Sequence, residues 1–136
     1  MHIDELTDTF ELLSDWEDRY RILIDLGRKL PPLADADKTE ANRVQGCTSM
    51  VWLVEAIEPG NPPHLHFRTD SDSFIVKGLL AIILMVYSGR TPQEILDTDI
   101  KEIFTRLGLE QNLSPNRRSG FFATVERIKA LAQAHA

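Results

Sequence analysis

Met50-Val51-Trp52-Leu53-Val54-Glu55-Ala56-Ile57 is followed, after Glu58, by Pro59-Gly60-Asn61-Pro62-Pro63 and then by His64-Leu65-His66-Phe67-Arg68-Thr69. The first run is apolar and β-branched with a tryptophan inside, and reads as a strand. The proline-glycine cluster is a turn or loop. The second run sets Leu65, Phe67 and Thr69 against His64, His66 and Arg68, so its period of two predicts a half-buried strand. A connection this short cannot carry a parallel crossover, and the strands are expected to pair antiparallel. Asp70-Ser71-Asp72-Ser73 then turns the chain and offers an N-cap. The stretch from Ile75 to Tyr87 is apolar almost throughout, broken only by Lys77 and Gly78. It is shorter than the about 20 residues of a membrane span, and reads as a core helix closed by Gly89 at C′.

Helices are predicted on either side of this hairpin. Ile3, Leu6, Phe10 and Leu13 recur at helical spacing and open the chain. Ser14 with Glu17 forms a capping-box signature for a second helix, whose face is marked by Trp16, Tyr20, Leu23 and Gly27. Pro31-Pro32 stops it, and residues 34 to 42 read as a polar connection. Thr91-Pro92-Gln93-Glu94 combines a capping box with proline at the first helical position. Asp99 caps a short helix ending at Gly108, and Ser114-Pro115 starts a last one with Phe121, Val125, Ile128 and Ala132 inward. Helices packed with a small antiparallel sheet make an α+β fold.

The 136 residues fit one domain, spanning residues 1–136. Hydrophobic residues at 43% and charged residues at 26% are ordinary globular values. Lys plus Arg number 15 against 21 Asp plus Glu, a net charge of -6. No basic surplus exists to neutralise phosphates, which argues against nucleic acid, and an anionic membrane surface is disfavoured for the same reason. The acidic balance instead points to a partner with a basic docking face. The single cysteine, Cys47, permits no internal disulfide, zinc finger or iron–sulfur cluster site. The acidic N-terminus lacks the basic start and apolar run of a signal peptide, so a cytoplasmic location is expected.

Three groups of residues could carry chemistry. A lone cysteine is commonly a small buried hydrophobe, but Cys47 follows Gly46 and precedes Thr48 and Ser49, polar company that suits a presented thiol. His64 and His66 face one side of their strand, where they could meet a metal, complete a zinc set with Cys47, or serve it as base. The polar face of an amphipathic strand is the favoured reading, because the apolar alternation by itself explains both positions fully. Arg117 and Arg118 occupy the first turn of the last helix, where the macrodipole disfavours cations. A salt bridge, a partner's acidic patch, a nearby anion or thiolate, or a plain surface pair would each explain them. Asp70 and Asp72 need only turn and capping duty.

A series of segments adds a further layer: Trp16-Glu17-Asp18-Arg19-Tyr20, Leu26-Gly27 with Leu30-Pro31-Pro32-Leu33, and Asn42-Arg43-Val44-Gln45-Gly46-Cys47-Thr48-Ser49 leading into Val51-Trp52-Leu53. It continues with His66-Phe67, Asp70-Ser71-Asp72, Val76-Lys77-Gly78-Leu79, Leu107-Gly108-Leu109 and Leu113-Ser114-Pro115-Asn116-Arg117. In order and spacing these resemble the SufE family, the sulfur-acceptor proteins that partner cysteine desulfurases, from the second helix almost to the C-terminus. Met50 departs from the pattern, where many members carry a polar residue such as glutamine. The resemblance implies an α+β fold like that of the iron–sulfur scaffold (IscU-like) proteins, with Cys47 as the acceptor cysteine in a loop. It also implies a part in Fe–S cluster assembly: sulfane sulfur is taken from a pyridoxal-phosphate-dependent desulfurase, SufS-like or CsdA-like, and passed to a scaffold complex. The chain itself is expected to hold no cofactor.

The chemistry of such a carrier suits these residues. A thiolate must attack the outer sulfur of the partner's persulfide, and a cation near Cys47 would enlarge the thiolate fraction. Arg117 is a candidate for that cation. A second thiol within reach would discharge the carried sulfur as sulfide, so one cysteine is an advantage to a carrier. Two other readings stay open: a self-standing thiol enzyme with His64 or His66 as base, and an interaction module in which Cys47 is structural.

Overall fold

The two predicted strands are β1 (Val51–Glu58) and β2 (His64–Ser71), paired antiparallel from Val51 opposite Ser71 to Glu58 opposite His64. They belong to a computed structural model that describes residues 2–46 and 49–136. Leu65, Phe67 and Thr69 are buried as the alternation requires, and His64, His66 and Arg68 share the other face. Both outer edges receive backbone partners at one end, which limits stray strand pairing. Val44 N–H donates to the Val51 carbonyl and Leu53 N–H to that of Asn42; across the sheet, Leu65 N–H donates to the Arg90 carbonyl and Gly89 N–H to that of Leu65.

Helices flank this ribbon in the order α1 (Ile3–Leu12), α2 (Trp16–Lys29), then after the strands α3 (Phe74–Tyr87), α4 (Pro92–Asp97), α5 (Ile100–Arg106), α6 (Leu109–Asn112) and α7 (Pro115–Ala134). The result is the expected α+β class. Thr91 and Glu94 exchange both hydrogen bonds of a capping box at α4. Ser114 Oγ accepts from the Arg117 N–H, with Pro115 in the first turn of α7.

Three local expectations are corrected. The cap of α2 is Asp15, whose carboxylate accepts the Glu17 N–H, and not Ser14. Asp and Ser are similarly good caps, so spacing alone could not choose between adjacent ones. Asp70 and Ser71 do not turn the chain but extend β2, because the complementary end of β1 pairs them. After α5 the backbone turns at Gly108, φ 71°, and at once winds the extra turn α6. Arg19 supports that corner by donating to the carbonyls of Leu13 and Leu107.

Two glycines decide how α2 meets α3. A methyl on Gly78 would lie 2.7 Å from the Leu23 carbonyl carbon, and one on Gly27 would lie 2.9 Å from the Gly78 nitrogen. The helices therefore touch backbone to backbone. Leu23, Leu79, Ile82 and Ile83 close the core around the crossing, joined by Leu6 and Phe10 of α1 and by Val125 and Ile128 of α7. Phe104 stacks against Phe121 and Phe122 at centroid separations of 5.1 and 4.9 Å. No described helix is long and apolar enough to cross a membrane.

Candidate functional site

Cys47 and its neighbour Thr48 lie outside the described residues; Gly46 and Ser49 flank them. Gly46 has φ 87°, a left-handed angle that glycine adopts without strain. A methyl there would sit 3.5 Å from the Ala123 side chain, so Gly46 lies against α7. Ser49 lines a cavity of about 410 Å³ between α3 and α7.

Two helical stripes build this cavity. From α3 come Val76, Leu79, Leu80 and Ile83, spaced three, one and three residues apart; from α7 come Arg117, Gly120, Phe121 and Thr124 with the same spacing. Each is one face of an α-helix, so the cavity lies between two facing stripes, with Gly120 the one position in them that carries no side chain. Val51, Ser114 and Asn116 complete the lining. The Thr124 hydroxyl donates to the Gly120 carbonyl at 2.9 Å, so it makes no demand on the cavity. The floor is aliphatic and aromatic, and Arg117 is the cation among the described lining residues.

Arg117 lies in the first turn of α7 and shares the cavity lining with Ser49. Among the described residues no carboxylate pairs with it. Arg118, its neighbour, does not line the cavity. Apolar walls by themselves disfavour a thiolate, and the guanidinium in the same lining is the group that counters that cost.

His64 and His66 are placed elsewhere. Their nearest ring nitrogens lie 3.8 and 3.6 Å from Glu58 Oε2. Val51, which lines the cavity, shares its face with Ser71, Thr69 and Phe67, whereas the histidines occupy the opposite face. His66 pairs with Ala56, five residues along β1 from Val51, a distance of about 16 Å. The polar-face reading describes both histidines, and the fold turns them away from the residues flanking Cys47. Among the described residues no three metal-ligating side chains converge.

Sequence reasoning missed Asp70. Its side chain is 3% exposed and lies 3.5 Å from Lys38 Nζ and 3.3 Å from Lys77 Nζ. It also accepts hydrogen bonds from the N–H groups of Leu33 and Ser71. Burial pushes the carboxyl pKa up, but the two backbone donors and Lys77 outweigh it, and the group is held below its ordinary 3.8. Asp70 pins the connection after α2 across the end of the hairpin where β1 begins. Nothing in an Asp-Ser-Asp-Ser run signals this, since its partners lie up to 37 residues away.

Comparison with known proteins agrees with this architecture. The family model described as "SufE: Fe-S metabolism associated domain" matches residues 4–132. An uncharacterized SufE-like protein of Rhizobium etli is 46% identical over 136 residues, covering 98% of this chain and 91% of its own length. A second, from Rhizobium meliloti, is 42% identical over 132 residues, covering 96% and 94%. The solution structure of a hypothetical protein from Thermus thermophilus has the same fold, with a TM-score of 0.76 at 21% identity over 98% of this chain and 94% of that one.

Proposed function

From the premise that the chain belongs to the SufE family, whose domain is associated with Fe–S metabolism, we propose that it is a covalent sulfur carrier with Cys47 as acceptor. The Cys47 thiolate attacks the outer sulfur of a persulfide on a cysteine desulfurase. The donor's S–S bond breaks, its cysteine leaves as a thiolate, and the new S–S bond leaves Cys47 as the persulfide, with no net change of oxidation state. Removing the persulfide frees the donor cysteine for its next turnover, so the carrier also stimulates the desulfurase. An Fe–S scaffold complex then receives the sulfur. The cavity lined by both Ser49 and Arg117 supports this reading: its apolar floor would shield a carried sulfur from stray thiols, and the guanidinium offsets the cost that such burial lays on an anion.

Incubation with a cysteine desulfurase and L-cysteine is expected to add about 32 Da, one sulfur atom, to the chain. Cys47→Ser is expected to abolish the adduct in intact-mass spectra. An undiminished adduct in that variant would refute the assignment. Arg117→Ala separates two roles for the arginine. As a thiolate stabiliser, its loss raises the pKa read from the pH dependence of iodoacetamide alkylation by up to about one unit. As a partner contact, it leaves that profile in place and slows transfer alone.

A further inference from the structure

The net charge of -6 conceals a segregation. Residues 1–42 carry eleven acidic and five basic side chains, whereas residues 113–136 carry four basic ones against the single acidic Glu126. Helix α7 supplies all four: Arg117, Arg118, Arg127 and Lys129. Two of them bracket the residues that flank Cys47. Arg117 lines the cavity with Ser49. Arg127 Nη2 donates to the Ala41 carbonyl at 3.1 Å, just before the segment that leads to Gly46. Gly46 meets α7 at Ala123, between the two arginines. They are ten residues apart, about 15 Å along the helix, and among the described residues neither pairs with a carboxylate. Arg43 adds a third guanidinium on the segment leading to Gly46, 3.9 Å from the Glu40 carboxylate.

We propose that this arginine face of α7 is the docking surface for a protein with clustered carboxylates around its sulfur-donating cysteine. The inference rests on the carrier reading and adds to it the chemistry of the partner's rim. Two arginines rooted about 15 Å apart along α7 suit a surface with several carboxylates better than one small anion, and the acidic remainder of the chain repels an extended polyanion. Guanidinium groups match protein carboxylates two bonds at a time. An opposed rim of carboxylates would steer encounter and set the register that brings donor sulfur to Cys47.

The test follows the rate at which the sulfur adduct appears, with a desulfurase shown to load Cys47. Arg127→Glu is expected to slow transfer about tenfold near 50 mM salt and less than about twofold near 500 mM, because rim charges act on encounter and are screened. Arg127→Lys, which keeps the charge but not the guanidinium fork, is expected to lose clearly less than Arg127→Glu at low salt. A deficit that persists undiminished at high salt, or an Arg127→Glu variant as fast as the parent at low salt, overturns the docking surface. So does duplex DNA that competes with transfer through this face. Cys47→Ser run alongside keeps the two ideas apart: an adduct that survives there removes the carrier reading, whereas a Cys47-dependent adduct indifferent to Arg127 removes only the surface.

Discussion

Gly78→Ala is expected to lower the stability of the protein by about 1–2 kcal/mol, the balance of two opposed effects. In an exposed helix interior the same change stabilises, since alanine exceeds glycine in helix propensity by about 1 kcal/mol. Here the added methyl has nowhere to go. It would lie 2.7 Å from the carbonyl carbon of Leu23, and that atom is helix backbone, which cannot rotate aside as a side chain can. Helix α2 must move outward, opening the packing around Leu23 and Leu79, both buried. Overpacking strain of this kind costs about 1–3 kcal/mol and occasionally more. In a chain of this length the net loss lowers the thermal midpoint by roughly 5 °C. Circular dichroism melts of Gly78→Ala and Gly27→Ala should both show the fall. A midpoint unchanged or raised would mean that the helices do not touch backbone to backbone.

The second large effect belongs to Asp70 and carries a pH signature. Its carboxylate is buried, accepts from Leu33 and Ser71, and faces two lysine ammonium groups. Asp70→Asn keeps the shape and one acceptor but removes the charge that both lysines face, a loss of about 2 kcal/mol at pH 7. The folded-state pKa is depressed below the ordinary 3.8. Folding therefore disfavours protonation, and the stabilisation is complete well above 3.8 and is lost as pH falls through the folded-state value. Urea unfolding of parent and variant across pH 7 to 3 is expected to show a gap that is constant near neutrality and closes on acidification. A gap that stays constant down to pH 3 would mean that the carboxylate charge contributes nothing.

What was legible in the sequence had local causes. The hairpin followed from an alternation of period two and a proline-glycine turn, and the α4 cap followed from Thr91 and Glu94 three residues apart. The inward face of α7 followed from Phe121, Val125, Ile128 and Ala132. Where two adjacent residues could do the same local task, as Ser14 and Asp15 could at the start of α2, the pattern did not separate them. Arg117 was legible as an anomaly, a cation at the positive end of a helix. Its place beside the cavity was not.

The difference between chain and fold is sharpest in the charges and the glycines. Net charge is a sum over the chain and has no direction, so an acidic total pointed to a basic partner. Only folding placed Arg117 and Arg127 on either side of Gly46 and turned the local expectation to the opposite sign. Gly27 and Gly78 read in sequence as a face marker and a break in an apolar run. Their function is the removal of two Cβ atoms from one crossing, and that crossing joins positions about fifty residues apart. The sequence by itself determined the hairpin and the longer helices, the α+β class and Cys47 as the sole thiol, because helical and strand periods and turn chemistry act within a few residues. Tertiary structure alone decided the cavity, the burial of Asp70 between two lysines, the separation of His64 and His66 from the residues flanking Cys47, and the arginine face, because each depends on groups that only the packed core brings together.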